Sequence, residues 1–365
     1  MRIAVILPDL RGGGAERLHV HLANDWVERG HSVEFVLMRG CGELLPLLSP
    51  KVTIVELGVD RGRQVIRPLR HYLKQSGPDI ALSAMWPLTS ISVVAWMLSG
   101  RHGRLFLSDH SHLSVSCARE LKTPLVVIKT LIRNTYPFAS GIIGVSQGVK
   151  DDLCHLGGFA EARVEVIYNP TATGVSPHRE SQEVRDQLWG VGFDHHILSV
   201  GTLKEQKDHR TLIRAFARLS RECNAKLTIL GEGQLRASLE SLIAELGIQS
   251  RVSMPGFVVD PYPWFRSADL FVLSSQYEGF GNVIVEALEC GVPVVSTDCP
   301  SGPAEILENG RHGRLVPVNN VAALVTAMAA TLAEPHDREQ LMKRASAFSV
   351  RNISDQYLNY FFSAK

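Results

Sequence analysis

Short, mainly apolar runs of strand length alternate along this chain with longer segments in which apolar residues recur at helical spacing. Such runs are typical of parallel sheets that are buried on both faces, and the segments between them are typical of crossover helices. The runs lie at residues 2–7, 33–38, 52–57, 79–83, 104–108 and 141–145, and again at 196–200, 226–230, 251–254, 269–274, 293–297 and 314–316. The pattern therefore predicts two α/β halves of similar architecture.

A polar segment separates the two halves. Residues 171–183 include glycine, serine and proline and lack apolar periodicity, so we place the interdomain linker there. This assigns residues 1–175 to an N-terminal domain and residues 176–348 to a C-terminal domain. Aromatic residues at helical spacing then predict a terminal helix over residues 349–365.

Composition excludes several other classes of protein. The formal net charge of +1 gives no reason to expect a nucleic-acid partner, and the 6 cysteines are scattered without CxxC or metal-like spacing. The opening apolar run meets Pro8 at once, unlike a secretory leader, and the apolar tract at residues 84–98 is too short to span a bilayer. We therefore expect a cytoplasmic protein.

The stretch EGFGNVIVEALECG, residues 278–291, contains the most specific chemical signal. It follows an apolar strand, and its loop with Gly279 and Gly281 leads into a segment of helical spacing. Backbone N–H groups at such a junction favour a phosphate, whereas the carboxylates of Glu278 and Glu286 accept hydrogen bonds from hydroxyl groups. A diphosphate flanked by polyols, as in a nucleotide sugar, fits this combination. Alternatively, the two glutamates only stabilise a helix N-terminus.

Two further loops follow predicted strands of the first half. The loop after the first strand contains Gly12, Gly13 and Gly14, but Arg17 stands where a dinucleotide fingerprint requires glycine. His110 follows the fifth strand, where a histidine serves either as an acid–base or hydrogen-bonding group or as an ordinary surface residue.

The Glu-x7-Glu pattern with its internal GFGN resembles the signature of the retaining glycosyltransferases of family 4, which have the GT-B fold. The resemblance implies two facing Rossmann-like domains with an interdomain cleft, and a C-terminal helix that returns to the N-terminal domain. It also implies that Glu278 contacts the donor sugar and that Glu286 binds the ribose hydroxyls. The diphosphate would be held by the loop and the start of the helix, at Gly279, Phe280, Gly281 and Asn282, and Val283 would be a further donor-binding residue.

Other segments extend the resemblance. Gly201, Thr202 and Lys207 match a loop that grips the donor diphosphate in the family, although Thr202 replaces the arginine of the family pattern. Gly256 and Val258 match the segment that recognises the base, largely through main-chain groups. Gly13 and Gly14 match the N-terminal glycine loop, and His110, a better match than His112, corresponds to a histidine that faces the donor sugar.

The function that the resemblance implies is transfer of a hexose or N-acetylhexosamine from a nucleotide sugar, with a UDP sugar favoured, to a glycan or polyprenyl-diphosphate-linked acceptor. Retention of anomeric configuration, a role in cell-surface glycan assembly and independence from metals and cofactors are implied with it, with His110, Lys207 and Glu278 as catalytic residues. A sugar-nucleotide epimerase of the same fold is the alternative. A nucleotide-dependent oxidoreductase and a non-catalytic binding protein are more distant ones, the latter favoured by Thr202.

Basic side chains recur on predicted helices of the first half. They are Arg61, Arg63, Arg67, Arg70, Lys74, Lys122, Lys129 and Arg133, the last three beside an apolar face. Such a surface is either simply solvated or docks on an anionic membrane that holds a lipid-linked acceptor. The second interpretation predicts a peripheral protein at the inner face of the cell membrane.

Overall fold

The computed structural model describes residues 1–117, 123–176 and 178–363, which form two compact units. Unit 1 contains Met1–Pro170 and the segment from Val350 onward. Its strands are β1 (Arg2–Leu7), β2 (Ser32–Leu37), β3 (Thr53–Glu56), β4 (Ile80–Ala84), β5 (Arg104–Asp109), β6 (Gly141–Gly144) and β7 (Val164–Val166). Its first helices are α1 (Gly14–Glu28), α2 (Ile66–Ser76), α3 (Leu88–Ser99), α4 (Leu113–Ser116), α5 (Leu125–Thr135) and α6 (Gln147–Gly157).

The strands of unit 1 all pair in parallel, in the order β3-β2-β1-β4-β5-β6-β7. The order reverses between β1 and β4, and ligands of open α/β sheets bind beyond the carboxyl ends of the strands near such a switch point. Residues 3–7 of β1 are buried without alternation because helices cover both faces of the sheet.

Unit 2, Thr171–Ser349, repeats this architecture. Its strands are β8 (His195–Val200), β9 (Ala225–Leu230), β10 (Val252–Gly256), β11 (Leu270–Leu273), β12 (Val294–Thr297) and β13 (Arg314–Val316), in the parallel order β10-β9-β8-β11-β12-β13. Its helices are α7 (Gln182–Trp189), α8 (His209–Leu219), α9 (Arg236–Glu245), α10 (Tyr262–Ser267), α11 (Asn282–Glu289), α12 (Pro303–Ile306), α13 (Val321–Ala333) and α14 (Arg338–Ser346). The predicted doubling of the α/β pattern is confirmed.

The terminal helix α15 (Val350–Ser363) packs on unit 1. Tyr357 and Phe361 lie one turn apart and contact Trp26 of α1, with ring centroids 6.2 and 5.7 Å away. The ring of Phe361 also lies 4.8 Å from that of Phe106 on β5. The last helix in the sequence therefore fills the core of the first unit, as the resemblance implied.

The boundary between the units lies at Pro170, five residues before the expected boundary at residue 175. The reason is that the residues after Pro170 are bound by unit 2. Gly174 and Val175 donate their backbone N–H groups to the Glu289 carboxylate at 2.7 and 3.2 Å, and residues 171 and 172 donate to the carbonyl of Phe348. Pro177 of the expected linker and Lys122 lie outside the described residues. Within the described chain, no helix combines the length and apolar content needed to cross a membrane.

Candidate active site

The motif at residues 278–291 forms a strand–loop–helix junction at the carboxyl end of β11. The loop ends at Gly281, which adopts a left-handed conformation with φ of 104° and precedes the first residue of α11. No side chain caps α11 at this end. The backbone dipoles of the helix therefore point their positive end at the loop, which is an arrangement suited to a phosphate.

Phe280 anchors this loop through its side chain. The ring is buried and packs edge-on against Phe348 at 5.4 Å between centroids. The backbone of Gly302, with φ of 95°, passes so close that a Cβ atom there would lie 1.8 Å from the Phe280 carbonyl oxygen. The side chain of Phe280 is therefore structural, and its expected contribution to donor binding is restricted to main-chain groups.

Lys207 and Glu278 form an ion pair at the centre of the candidate site. The ammonium Nζ donates to Glu278 Oε1 at 2.5 Å, and the hydroxyl of Ser275 donates to the same oxygen at 2.6 Å. The side chains are largely buried, with 15% and 8% of their surfaces exposed. Among the described residues, Glu278 Oε2 accepts no hydrogen bond, so this oxygen can accept one from a sugar hydroxyl.

The loop after β8 brings Lys207 to this position. Gly201 directly follows β8. A Cβ atom there would lie 3.2 Å from Cε of Lys207, so the absence of a side chain leaves room for the aliphatic part of the lysine side chain. The carbonyl of Lys207 accepts from the Ser274 hydroxyl at 2.8 Å, which ties this loop to the end of β11. Thr202 is exposed and offers no cation to the site.

Two other glycines bring neighbouring loops close. Gly231, after β9, donates its N–H to the carbonyl of Gly256 at 2.8 Å, and a Cβ atom on Gly231 would lie 2.2 Å from the carbonyl oxygen of Gly201. Val258 follows in a partly exposed position.

Arg236, a basic side chain of this region, is held by Glu232 at 2.6 Å and Glu240 at 3.0 Å. Arg236 is therefore paired with two carboxylates and is not a free cation in place of the arginine that Thr202 replaces.

The remaining motif residues lie on the first turns of α11. Glu286 and Val283 are partly exposed, as a ligand contact requires, while the neighbouring Glu289 is buried and binds backbone N–H groups. The side-chain oxygen of Asn282 accepts from the Thr171 hydroxyl at 3.3 Å. Asn282 is therefore partly committed to positioning the start of unit 2.

The glycine loop of unit 1 differs slightly from the expected one. Gly13 is the N-cap of α1, whereas Gly14 is already its first helical residue and not part of the loop. A Cβ atom on Gly13 would lie 2.1 Å from Oε2 of Glu16, so the carboxylate of the first turn folds over this glycine. Burial raises the pKa of Glu16.

His110 lies at the carboxyl end of β5 and is hydrogen bonded within unit 1. Its Nε2 lies 3.0 Å from the Ser108 hydroxyl, which in turn lies 3.4 Å from the hydroxyl of Tyr357 on α15. The ring of His19, from α1, packs edge-on against it at 5.2 Å. Burial lowers the pKa of His19 to about 4 and, with His19 nearby, holds the pKa of His110 well below its usual value. Both rings are therefore neutral at pH 7.

Asp109, which precedes His110 in the sequence, belongs to a different hydrogen-bond network. Its carboxyl group is buried and accepts from the Tyr136 hydroxyl at 2.7 Å, and burial raises its pKa to about 7. His112 faces Asp152 at 3.5 Å instead of joining His110. Sequence reasoning missed Ser108, Ser275, His19 and Tyr357. Of these, only Ser275 could have been suspected from the sequence, because it lies three residues before Glu278.

Comparison with known proteins relates the sequence of this chain to two family profiles and to several bacterial relatives. Residues 191–348 match the family profile described as glycosyl transferases group 1, and residues 12–174 match that described as Glycosyltransferase Family 4. An N-acetylgalactosaminyltransferase of Campylobacter jejuni, named for a diphospho-undecaprenol acceptor, is 33% identical over 74% of this chain and 72% of the relative. The lipopolysaccharide core biosynthesis glycosyltransferase LpsE of Rhizobium meliloti is 30% identical over 95% of each.

The crystal structure of HepE from Anabaena in complex with UDP-glucose superposes with a TM-score of 0.82, at 22% identity and full coverage of both chains. The two α/β units, each built on a sheet of parallel strands, define a glycosyltransferase of the GT-B fold. Within that class, the chain belongs to glycosyltransferase family 4, the group 1 glycosyltransferases.

Proposed function

We propose that this glycosyltransferase moves a hexose or N-acetylhexosamine from a UDP sugar to a lipid-linked glycan acceptor during assembly of a cell-surface polysaccharide or lipopolysaccharide. The acceptor class is supported by the Campylobacter and Rhizobium relatives, whose names refer to diphospho-undecaprenol and to lipopolysaccharide core. The UDP donor is supported by the HepE complex. The observation that carries the proposal is the Lys207–Glu278 pair beside the uncapped start of α11.

In this proposal each charged group acts on a different part of the donor. The Lys207 ammonium and the backbone N–H groups of residues 279–282 bind the diphosphate, and Glu286 binds the ribose hydroxyls. Glu278 orients the sugar through Oε2, while its Oε1 stays bound to Lys207 and Ser275. His110, being neutral, acts as a hydrogen-bonding group and not as an acid.

The proposed reaction retains the anomeric configuration. The acceptor hydroxyl oxygen bonds to the anomeric carbon on the face from which UDP departs, and the bond between that carbon and the diphosphate oxygen breaks. The hydroxyl proton passes to a departing phosphate oxygen, so no enzymic base is required. Lys207 and the amides stabilise the charge that develops on the leaving group, the role we assign to them in place of a metal ion.

A donor screen followed by a transfer assay tests the proposal. UDP-glucose, UDP-galactose, UDP-N-acetylglucosamine, UDP-N-acetylgalactosamine and GDP-mannose are compared by thermal shift, because a ligand that binds the folded state raises the unfolding temperature. The stabilising donor is then supplied with a short-chain polyprenyl-diphosphate sugar, and the anomeric configuration of the product is determined by NMR.

Two variants assign the roles. Lys207→Ala is expected to lower kcat by about 100-fold, the usual effect of removing one stabilising group at developing charge. Glu286→Ala is expected to raise the Kd of the donor. Glu205→Gln, an exposed carboxylate in the Lys207 loop, is the matched control and should leave both constants unchanged. Unchanged kinetics in Lys207→Ala and Glu286→Ala, or an inverted product, would contradict the proposal.

A further inference from the structure

Helix α5 of unit 1 exposes several large apolar side chains to solvent, in addition to those on its core side. Ile128 and Ile132 are fully buried, as expected for a helix that covers a sheet. The exposed positions nevertheless hold the large apolar side chains of Leu125, Val126, Val127 and Leu131, and Phe138 follows just after the helix. Val126 alone is 68% exposed. Exposed apolar side chains grouped on one short segment in this way favour an interaction surface over ordinary solvated surface.

Three neighbouring helices of unit 1 carry no acidic side chain. Residues 61–78, 80–108 and 123–150, which include α2, α3 and α5, contain neither aspartate nor glutamate. The connections from β3 to β4, β4 to β5 and β5 to β6 all advance in one direction across the sheet, so right-handed crossovers place these three helices on one face. Contacts of α3 with both α2 and α5 make that face continuous.

Basic and apolar side chains are interleaved on this surface, here called the α2–α3–α5 face. Arg70 of α2 donates from Nε to the carbonyl of Leu98 at 3.0 Å, and the Leu98 side chain is itself exposed. The guanidinium of Arg101 lies 5.8 Å from the ring centres of both Trp96 and Phe138. Further exposed cations are Arg67 and Lys74 of α2 and Arg133 of α5.

We propose that the α2–α3–α5 face docks the protein on an anionic lipid bilayer. The apolar residues of α5 would enter the boundary between headgroups and acyl chains, while the arginines and lysines meet lipid phosphates. Each cation adds about fivefold or less to the affinity. The complete lack of carboxylates over three helices favours an anionic bilayer over a protein partner, since a bilayer repels any acidic side chain on the contacting face. The inference deepens the proposed function, because a lipid-linked acceptor lies in such a bilayer.

Vesicle binding by the full chain tests the inference. Co-sedimentation is measured with vesicles of phosphatidylglycerol and phosphatidylcholine in equal parts and with vesicles of phosphatidylcholine alone. Strong binding to the mixed vesicles, weakened by salt, and little binding to phosphatidylcholine are expected. The double variant Val126→Glu and Leu131→Glu should bind at least tenfold more weakly. Val191→Glu, on an equally exposed valine of unit 2 (74%), is the matched control and should bind like the wild type.

A second variant keeps the inference testable if the first one misfolds. Arg67→Gln combined with Lys74→Gln removes two exposed cations and should lower binding to the anionic vesicles about tenfold at unchanged unfolding temperature. Wild-type protein that ignores anionic vesicles, or variants that bind as well as wild type, would overturn the inference. So would concentration-dependent self-association that Val126→Glu with Leu131→Glu abolishes, since the face would then be covered by a second copy.

The transfer reaction separates this inference from the proposed function. With a water-soluble acceptor that lacks the polyprenyl chain, both variants should retain the wild-type kcat, because neither change touches the candidate site. Vesicle binding without any sugar transfer would contradict the proposed function and leave the docking surface standing. Transfer without vesicle binding would contradict the docking surface alone.

Discussion

Lys207 and Glu278 are held by each other before any ligand arrives. A carboxylate this deeply buried needs its cation, because removing one partner of a buried pair typically costs about 3–5 kcal/mol of stability. In the proposed complex, a donor diphosphate would share Lys207 with Glu278, since the ammonium has further N–H groups with which to do so. The pair fixes both side chains in advance, which lowers the entropic cost of binding.

Asp109 makes unit 1 sensitive to pH. Its pKa is about 7 in the folded protein against the usual 3.8, so between these values the folded state holds a proton that the unfolded state releases. The contribution of Asp109 to stability should therefore fall as pH rises from about 4 to about 7 and stay reduced above. The buried His19 and His110, whose pKa values are lowered, contribute in the opposite direction, so the prediction concerns the difference between wild type and a variant at Asp109. Asp109→Asn keeps an acceptor for Tyr136 and should be more stable than wild type at pH 8, by on the order of 4 kcal/mol. Urea unfolding over this pH range measures the difference.

The exposed carboxylate of Asp60 provides the control for this prediction. Asp60→Asn should show the same pH dependence as wild type, since its side chain is 80% exposed. If Asp109→Asn also kept the wild-type dependence, Asp109 would be ionised in the folded state over the whole range, and a raised pKa for its carboxyl group would be wrong.

The loop between β11 and α11 depends on a glycine from another segment. Gly302 combines a φ of 95° with a backbone so close to Phe280 that a Cβ atom would overlap its carbonyl oxygen. Gly302→Ala should lower the free energy of unfolding by more than about 3 kcal/mol, because the overlap adds to the cost of the left-handed conformation. It should also weaken donor binding, since the shifted loop carries the amides that we assign to the diphosphate. Urea unfolding and donor thermal shift provide the measurements.

Gly192→Ala separates the cost of the backbone conformation from the cost of the overlap with Phe280. Gly192 has a similar φ of 89°, but nothing lies within 4 Å of a Cβ atom placed there. This variant should lose only about 1–2 kcal/mol, the cost of the left-handed conformation. Equal losses in the two variants would show that the contact with Phe280 does not constrain the loop.

The central strands, such as β4, β11 and β12, were predictable because they are buried along their whole length and therefore appear as mainly apolar runs. All six strands of unit 2 lie within a few residues of their predicted positions. The motif at residues 278–291 was equally readable, since a glycine loop between a strand and a helix is local in sequence. What local pattern cannot give is the partner of each charge. Lys207 and Glu278 are 71 residues apart, and nothing in their spacing predicts that they touch.

The surroundings of His110 show the same limit more strongly. Its position after β5 was readable from the strand pattern, but the residues that surround it come from α1 and α15. Ala15 accepts a hydrogen bond from His19 Nδ1 at 2.6 Å, which fixes a ring that sequence alone assigns only to a helix. Such side chains are brought together by the packing of helices on the sheet. Which residues surround His110 therefore depends on the tertiary structure of the whole of unit 1.

Unit 1 depends on α15 for its core. Phe361→Ala should lower the free energy of unfolding by about 3–5 kcal/mol, because a fully buried aromatic ring between Trp26 and Phe106 is removed. Phe362→Ala, one residue later and 61% exposed, is the matched control and should change stability by less than about 0.5 kcal/mol. Chemical denaturation followed by tryptophan fluorescence measures both. Similar losses in the two variants would mean that α15 does not pack on unit 1 in solution.

The position of α15 also bears on how the chain folds as the ribosome makes it. Domains emerging in order usually complete their folding in order. Here the aromatic groove that Tyr357 and Phe361 fill stays open until unit 2 has been synthesised, since the intervening Thr171–Ser349 is made first. The nascent first unit therefore displays a hydrophobic cleft that chaperones can recognise, and the second unit is the earlier of the two to finish its core.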